Sequence, residues 1–311
     1  MTTTSGPLDV RRPFTRADAV AAGVDPRVLR ASRYRRIFRE VYVSADVPDS
    51  PTLRADAALA LHPPWAFLSH TDAARLYRLP VPDTPDVHVT VPSQRDRRAR
   101  PGIRCHIATT PPRVVEVRGR RVSHPFRMFI ELASMLSLVD LVVVGDAMVR
   151  VFDLEPERLV RELAGSSGRH VVAARRAAGY VRAEVDSPME TRLRMLLVLA
   201  GLPEPKVNLK LRDEHGEVVM RFDLSYPAVR LAVEYDGRQH AEDTGQWNHD
   251  VDRRELIDDI EWQIVVVTSK GIYREPARTI ERVRSKLLRR GKRDVPRRLS
   301  DDWRPHFPGR P

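Results

Sequence analysis

The sequence contains a single cysteine, Cys105, among 311 residues. One cysteine excludes a disulfide framework and any zinc site built from several cysteines. The sequence also lacks an uninterrupted apolar run of about 18 residues, the length that a membrane-spanning helix needs. Its longest apolar stretch, residues 138–149, is interrupted by two aspartates, and the first residues have no apolar core of the kind that signal peptides carry. These absences predict a cytoplasmic protein in a reducing compartment.

The length and the composition favour several folded units. Hydrophobic residues make up 42% of the chain, which is enough to build cores and argues against global disorder. At 311 residues, two or three compact units are expected. The pattern predicts a winged helix-turn-helix at 1–48, an α+β domain at 49–165, a linker or connecting helix at 166–185, an α/β domain at 186–292 and a basic tail at 293–311.

Charge is distributed unevenly along the chain, whose formal net charge is +11. Residues 1–180 hold 28 basic and 19 acidic side chains, residues 181–280 hold 14 and 19, and residues 281–311 hold 11 and 4. A basic chain without a membrane anchor most often binds a polyanion. The predicted partner is therefore DNA, with RNA left open, and not a membrane.

Helix and strand signals follow one another closely near the N-terminus. Thr15 and Asp18 have the spacing of a capped helix start, and Asp25 before Pro26 starts a second helix. Residues 34–43 form a strand-like run rich in aromatic and β-branched side chains. Helix, turn, helix and strand is the order of a winged helix-turn-helix.

Arginines accumulate in the second helix and the strand of this segment. The candidates for contact with DNA phosphates are Arg27, Arg30, Arg33, Arg35 and Arg36. The alternative interpretation is the solvated surface of a small helical domain, because the spacing of a helix-turn-helix is common by chance.

Four segments of the front part carry a family resemblance. They are FTRADAVAAGVDPRVLR, YRRIFREVYV, SHTDAARLYRLP and VHVTVPSQ. Over roughly residues 10–150 the chain resembles the AbiEi-type antitoxin family, whose members carry a winged helix followed by an α+β domain. The resemblance implies DNA binding and allows a protein partner through toxin–antitoxin pairing.

The C-terminal third predicts the element order α-β-β-β-α-β-α. Its first helix is capped by Ser187, three strands follow between residues 206 and 236, and a helix is predicted at 247–259 before a buried strand and a last helix. The short segment 227–230 predicts a hairpin between the second and third strands.

Two carboxylates are predicted to face each other in this hairpin. Asp223 lies opposite Glu234 and on the same face as Asp236, whereas Phe222 and Val233 fill the other face. Directly opposed Cβ atoms lie about 5 Å apart, so one carboxylate must be protonated or both must share a cation. Oxygen ligands suit Mg²⁺. The sequence predicts a magnesium site here, the alternative being two exposed carboxylates on an edge strand.

Four other residues of this third have two interpretations each. Glu190 is either a third metal ligand or a capping residue at the start of its helix. His240 either transfers a proton or is structural. Arg253 and Arg254 either contact phosphate or form an ion pair with Asp250 within a helix.

The same region resembles a known group of nucleases. The segments that carry the resemblance are ETRLRMLLVLAGLP, RFDLSYPAVRLAVEYDGRQH, WNHDVDRRELIDD and WQIVVVT. They resemble a domain-of-unknown-function family related to very-short-patch-repair endonucleases of the PD-(D/E)xK superfamily. The resemblance implies a restriction-endonuclease-like α/β domain, with Glu190, Asp223 and Glu234 as Mg²⁺ ligands and His240 as the histidine of the repair-nuclease branch. Asp236, a further candidate for the catalytic site, stands where the superfamily has a lysine.

Two functions from different classes follow from these observations. The first is a Mg²⁺-dependent DNA endonuclease with an N-terminal DNA-binding domain. The second is a non-catalytic DNA-binding regulator, or an antitoxin-like protein, on a degenerate nuclease scaffold, which the missing lysine favours.

Overall fold

The computed structural model describes residues 8–108, 111–237 and 260–309 of this mixed α+β protein. The described chain divides into two compact units. The first unit contains the described residues up to Met135 together with Gly165–Val172, and the second contains Leu136–Ala164 and the described residues from Ala173 onward. None of the helices in these ranges is long and apolar enough to cross a membrane.

Two sheets and four helices form the described first unit. Its elements in chain order are β1 (Phe14–Thr15), α1 (Arg16–Ala21), a 3₁₀ turn (Pro26–Arg30), β2 (Tyr34–Phe38), β3 (Val41–Ser44), α2 (Pro51–Ala60), β4 (Phe67–Leu68), α3 (His70–Leu76), β5 (Val87–Val91), a 3₁₀ turn (Gln94–Asp96), β6 (Ile103–Ile107), β7 (Val114–Val117), β8 (Arg120–Ser123) and α4 (Pro125–Leu132).

The N-terminal elements begin as the sequence predicts and then depart from it. Thr15 and Asp18 form a reciprocal capping box at the start of α1. The predicted second helix begins at Pro26 with Asp25 as its cap, as expected, but it is a five-residue 3₁₀ helix and the chain is extended again at Ala31. The predicted single strand is a hairpin of β2 and β3, whose turn places Glu40 at a φ of 71°. This hairpin and β1 form a sheet of order β1-β3-β2.

The second sheet has the order β6-β5-β4-β8-β7. Strands β5 and β6 have the predicted bounds and run parallel, with Thr90 paired to His106. Every residue of β5 is buried, including His88 and Thr90. Because alternate side chains point to opposite faces, both faces of β5 are covered by protein, and the face that carries His88 and Thr90 is polar.

The second unit contains one sheet and a set of helices. Its described elements in chain order are α5 (Leu138–Val151), α6 (Pro156–Ala164), α7 (Val171–Ala178, whose first two residues belong to the first unit), α8 (Pro188–Leu199), β9 (Lys206–Arg212), β10 (Val218–Tyr226), a 3₁₀ turn (Pro227–Val229), β11 (Leu231–Tyr235), β12 (Gln263–Val267), α9 (Ser269–Tyr273) and α10 (Pro276–Arg289).

The sheet of the second unit has the order β12-β11-β10-β9. Strands β9, β10 and β11 are antiparallel neighbours, and β12 runs parallel to β11. Helix α8 packs against β10 and β11, and α10 packs against β11 and β12. Apolar side chains such as Phe222, Val233 and Val265 are at most 1% exposed. Because β10 and β11 are the inner strands, their carboxylates do not lie on an edge strand.

The basic C-terminal segment folds onto the second unit. Trp303 and Phe307 are buried there. The amide of Ser300 donates a hydrogen bond to the carbonyl of Ala200 at the end of α8. The segment predicted as a basic tail therefore helps to cover the core. The helix predicted at 247–259 lies outside the described residues.

Candidate functional site

The four predicted carboxylates of the second unit, which we call the acidic cluster, are Glu190, Asp223, Glu234 and Asp236. Helix α8, strand β10 and the end of strand β11 carry them. All four residues are half-buried. A half-buried carboxylate loses part of its hydration and still accepts ligands from solvent, which is the environment that metal ligation needs.

The hairpin register agrees with the prediction. Leu224 pairs with Val233 and Ser225 pairs with Ala232, so continuing the register by one residue brings Asp223 opposite Glu234. The amide of Tyr235 donates a hydrogen bond to Oδ2 of Asp223 at 3.0 Å. The Asp223 carboxylate therefore reaches from β10 to the backbone of β11.

Glu190 lies in the first turn of α8. Ser187 caps this helix by accepting the Glu190 amide, and Oε2 of Glu190 accepts the Asp186 amide at 3.1 Å. Glu190 thus bonds a backbone amide, as the capping interpretation predicts, although the donor is Asp186 and not the cap residue Ser187. Its role as a metal ligand stays a prediction. Burial raises the pKa of Glu190, and the nearby carboxylates of Asp223 and Asp186 raise it further, against the hydrogen bonds from Ser187 and the Asp186 amide. Glu190 is therefore close enough to Asp223 to sense its charge.

The acidic cluster is more open than a closed metal cage. Among the described residues, only three histidines form a group whose ligand atoms all lie within 4.8 Å of one another. Glu190, Asp223 and Glu234 consequently lie further apart than that as a set of three. His240, Arg253 and Arg254 lie outside the described residues, so their predicted roles stay predictions.

Three of the five predicted DNA-contacting arginines line one groove of the first unit. Arg27, Arg30 and Arg36 form its walls with Arg16 and two tyrosines. The guanidinium of Arg33 lies over the ring of Tyr34, 5.2 Å from its centroid.

The fifth arginine is engaged within the protein. Arg35 donates to the Val47 carbonyl at 2.9 Å and pairs with Asp49 at 3.5 Å. Two parts of the predicted set therefore differ: the groove arginines are exposed, whereas Arg35 anchors the hairpin to the following loop.

A second group of potential ligand side chains, three histidines, is not predicted by the sequence. His70, His88 and His106 converge in the first unit and form the only group of potential metal ligands of this kind in the described ranges. Their signal in the sequence is faint: His88 and His106 each lie inside an apolar strand, and a parallel pairing of those strands brings them together.

All three histidines are held neutral at pH 7. Burial lowers the pKa of His70 to about 2, and the neighbouring imidazoles lower it further. Burial also lowers the pKa values of His88 and His106 to about 4, with contributions from nearby cationic groups such as Arg104. Neutral imidazoles keep one lone pair each for a hydrogen bond or a metal.

Comparison with known proteins gives relatives without an assigned activity. No protein-family model matches the chain. Two uncharacterized proteins of Mycobacterium tuberculosis, MT2308 (strain CDC 1551 / Oshkosh) and Rv2248 (strain ATCC 25618 / H37Rv), are each 27% identical over 218 residues, which is 70% of this chain and 79% of theirs. The crystal structure of the RV2827C protein from Mycobacterium tuberculosis has a TM-score of 0.39 and 17% identity, over 58% of this chain and 74% of that one. The chain is thus similar, over most of its length, to mycobacterial proteins described as uncharacterized.

Proposed function

We propose that the second unit is a Mg²⁺-dependent DNA endonuclease and that the first unit binds DNA. The observation that carries the proposal is the β10–β11 register, which, when continued by one residue beyond the Leu224–Val233 pair, brings Asp223 opposite Glu234 on the two inner strands of the sheet. Two carboxylates in that position repel each other unless a proton or a cation lies between them. A divalent cation relieves the repulsion and supplies a reactive centre.

The chemistry of the donor set suits a hard divalent cation, which would have to draw the three carboxylates closer together than they lie in the described structure. Asp223 and Glu234 would hold Mg²⁺, with Glu190 as the third ligand, and all three offer carboxylate oxygens. A carboxylate has about four lone-pair sites, so the contact of Asp223 with the Tyr235 amide is compatible with ligation. When bound, Mg²⁺ polarises a phosphoryl oxygen and lowers the pKa of a bound water.

The residues of the chain itself would position the ion and the substrate. The Asp186 amide holds the Glu190 carboxylate at the start of α8, and the Tyr235 amide fixes the Asp223 carboxylate beside β11. His240 follows Asp236 after four residues and would transfer the proton. Arg253 would add positive charge for the scissile phosphate.

Two features support this class of enzyme over other hydrolases. The described part of this unit contains a helix, three antiparallel strands, a strand parallel to the third and two further helices, which supports the mixed α/β domain that the resemblance to PD-(D/E)xK nucleases implies. The groove of Arg27, Arg30 and Arg36 offers guanidinium groups of the kind that bind phosphate bidentately.

Plasmid cleavage with Mg²⁺ tests the proposal. Wild-type protein should nick or linearise the plasmid, whereas Asp223→Asn and Glu234→Gln should lose at least about 100-fold in rate because removal of a ligand removes the ion's electrostatic contribution. The control is Glu214→Gln, an equal change on an exposed turn of the same unit, which should cleave like the wild type.

The second candidate, a non-catalytic DNA-binding regulator, is favoured by one observation. Asp236 stands where the superfamily has a lysine, so that cation is missing from the predicted centre. A regulator binds DNA with the same affinity with and without Mg²⁺ and shows no Mg²⁺-dependent shift of its melting temperature. Equal plasmid nicking by wild type and Asp223→Asn, together with those two results, would replace the enzyme by the regulator.

A further inference from the structure

Three histidines meet on the buried polar face of the five-stranded sheet. His88 lies on β5, His106 lies on the parallel neighbour β6, and His70 begins α3 directly after β4. Because β4 is the other neighbour of β5, three adjacent chain segments deliver one imidazole each to the same place. We call them the three-histidine cluster.

The distances within the cluster are close to those of a metal site. Nδ1 of His88 lies 3.0 Å from Nε2 of His106, and one nitrogen of each of the three rings falls within 4.8 Å of the other two. Tetrahedral zinc with Zn–N bonds of 2.0–2.1 Å needs nitrogen separations of about 3.3 Å. The rings of His70 and His106 are stacked at 3.9 Å between centroids. The imidazole lone pairs lie in the ring planes, so His70 must turn out of this stack for all three rings to point at one ion.

The surroundings prepare His70 for this role. Its Nδ1 contacts the Ser69 hydroxyl at 2.9 Å, which also accepts a hydrogen bond from Thr90 at 2.8 Å. Nε2 is then the ligand atom, oriented by a partner on the other ring nitrogen as in known histidine–metal sites. The Ser69 hydroxyl does not cap α3. It contacts His70 and Thr90 instead.

The backbone at the same residue is strained. His70 has a φ of 51°, a conformation that costs a side-chain-bearing residue free energy and that clusters at functional sites. The carboxylate of Glu131 stabilises it by accepting the His70 amide at 3.3 Å and the Ser123 hydroxyl at 2.7 Å.

The geometry points to a mononuclear zinc site formed by His70, His88 and His106, with its fourth position open to a small anionic ligand or water. Three imidazoles and one open position are the ligand set of catalytic rather than structural zinc. Zn²⁺ would take the place of the proton between His88 and His106, and that proton would move to the other ring nitrogen of the same imidazole, so that both rings stay neutral.

The fourth ligand would enter from a neighbouring cavity of about 220 Å³. His70 and His106 line this cavity, and the basic side chains of Arg127 and Arg169 line it as well. An anion such as a carboxylate or a phosphate would be attracted by both guanidinium groups and by the metal. Glu131 also lines the cavity, but its two oxygens are bonded to Arg127, Ser123 and the His70 amide.

The competing interpretation is a hydrogen-bonded trio without a metal. One of the two nitrogens that face each other in His88 and His106 would then donate a proton to the other. This arrangement satisfies buried polar atoms and needs nothing from outside. The two interpretations predict opposite results in a metal-binding experiment.

The experiment uses the tag-free full-length protein, stripped with EDTA and dialysed. Zinc is added, bound zinc is measured by inductively coupled plasma mass spectrometry, and affinity is measured by calorimetry. The wild type should retain one equivalent of zinc, and His106→Gln should lose it. Asp223→Asn should keep it, which separates this site from the acidic cluster and its magnesium.

Two matched variants sharpen the result. His215→Gln changes an exposed histidine of the second unit and should leave zinc binding unchanged. Thr90→Val keeps the shape of the side chain and removes the hydrogen bond to Ser69, so zinc affinity should fall by about 10–100-fold. Circular dichroism checks that each variant is folded.

Visible absorption of the Co²⁺-substituted protein gives an independent signature. Tetrahedral nitrogen ligation should produce intense d–d bands in the wild type that are absent in His106→Gln. Failure of the wild type to take up zinc at micromolar concentration, or equal uptake by folded His106→Gln, would overturn the inference in favour of the hydrogen-bonded trio.

Discussion

At the scale of single residues, a buried ion pair fixes the helix that carries Glu190. Asp146 on α5 is 2% exposed and Arg194 on α8 is fully buried, with 2.8 Å between their charged atoms. Asp146 also accepts the hydroxyl of Thr191 and the amide of Arg182, each at 2.8 Å. Since Thr191 directly follows Glu190, this network holds the first turn of α8 against α5.

We expect Asp146→Ala to lower the free energy of unfolding by about 3–5 kcal/mol, because it leaves the buried Arg194 guanidinium with only its longer, 3.5 Å contact to Glu204. Urea denaturation followed by circular dichroism measures the change. In the double variant Asp146→Leu/Arg194→Met both charges are removed, and most of the loss should be recovered.

The exposed pair Asp301–Arg304 provides the control for this prediction. Asp301→Ala should cost less than about 1 kcal/mol, because solvent screens surface ion pairs. A cost for Asp146→Ala that is no larger than that of Asp301→Ala would show that the pair does not hold α5 and α8 together.

At the scale of secondary-structure elements, the sequence predicts the features that depend on residues close together along the chain. The caps at Thr15 and Ser187 depend on residues three positions away, and both are confirmed. The β10–β11 register is confirmed because a short loop leaves few ways of pairing the strands. The acidic cluster could therefore be assembled from the sequence, apart from the distance of Glu190 to its partners.

Features that depend on contacts between residues far apart along the chain could not be predicted from the sequence pattern. The three-histidine cluster depends on the parallel pairing of β5 with β6 and on the position of β4 between β5 and β8. Sequence periodicity contains no information on the order of strands in a sheet. The turn at Glu40 was missed for a different reason: it consists of Arg39 and Glu40 and contains none of the glycine, proline or asparagine residues that usually mark a tight turn.

Close packing between two helices of the second unit gives a prediction at this scale. A Cβ atom on Gly271 in α9 would lie 2.8 Å from Oγ1 of Thr279 and 3.0 Å from Cγ1 of Val267. Thr279 is buried and its hydroxyl is bonded to the Gly271 carbonyl, so it cannot move aside. Gly271→Ala should lower the free energy of unfolding by about 1–3 kcal/mol in urea denaturation.

Gly179, at the end of α7, is the matched control. Its added Cβ would meet nothing closer than the Arg176 carbonyl at 3.5 Å, which is an ordinary contact. Gly179→Ala should be neutral or stabilising by about 0.4–1 kcal/mol, because alanine restricts the unfolded chain. Equal effects of the two substitutions would contradict the close approach of α9 and α10.

At the scale of the whole molecule, the segment proposed to bind DNA and the segment proposed to cleave it differ in net charge. Residues 1–180 carry an excess of nine basic side chains, whereas residues 181–280, which hold the acidic cluster, carry an excess of five acidic ones. Without metal, the acidic cluster repels a phosphate backbone. Under the proposed function, the exposed arginines of the groove in the first unit would supply the attraction that brings DNA to the protein.

This division of tasks predicts a specific salt dependence. Each arginine that neutralises one phosphate contributes about 0.9 to the slope of log affinity against log salt concentration. The double variant Arg27→Ala/Arg30→Ala should therefore bind duplex DNA more weakly, with a slope reduced by about 2, as measured by fluorescence anisotropy between 50 and about 200 mM salt. Arg158→Ala/Arg161→Ala removes the same charge from exposed positions outside the groove and should keep the wild-type slope. Equal slopes for both double variants would mean that net charge alone attracts DNA and that the groove is not the contact surface.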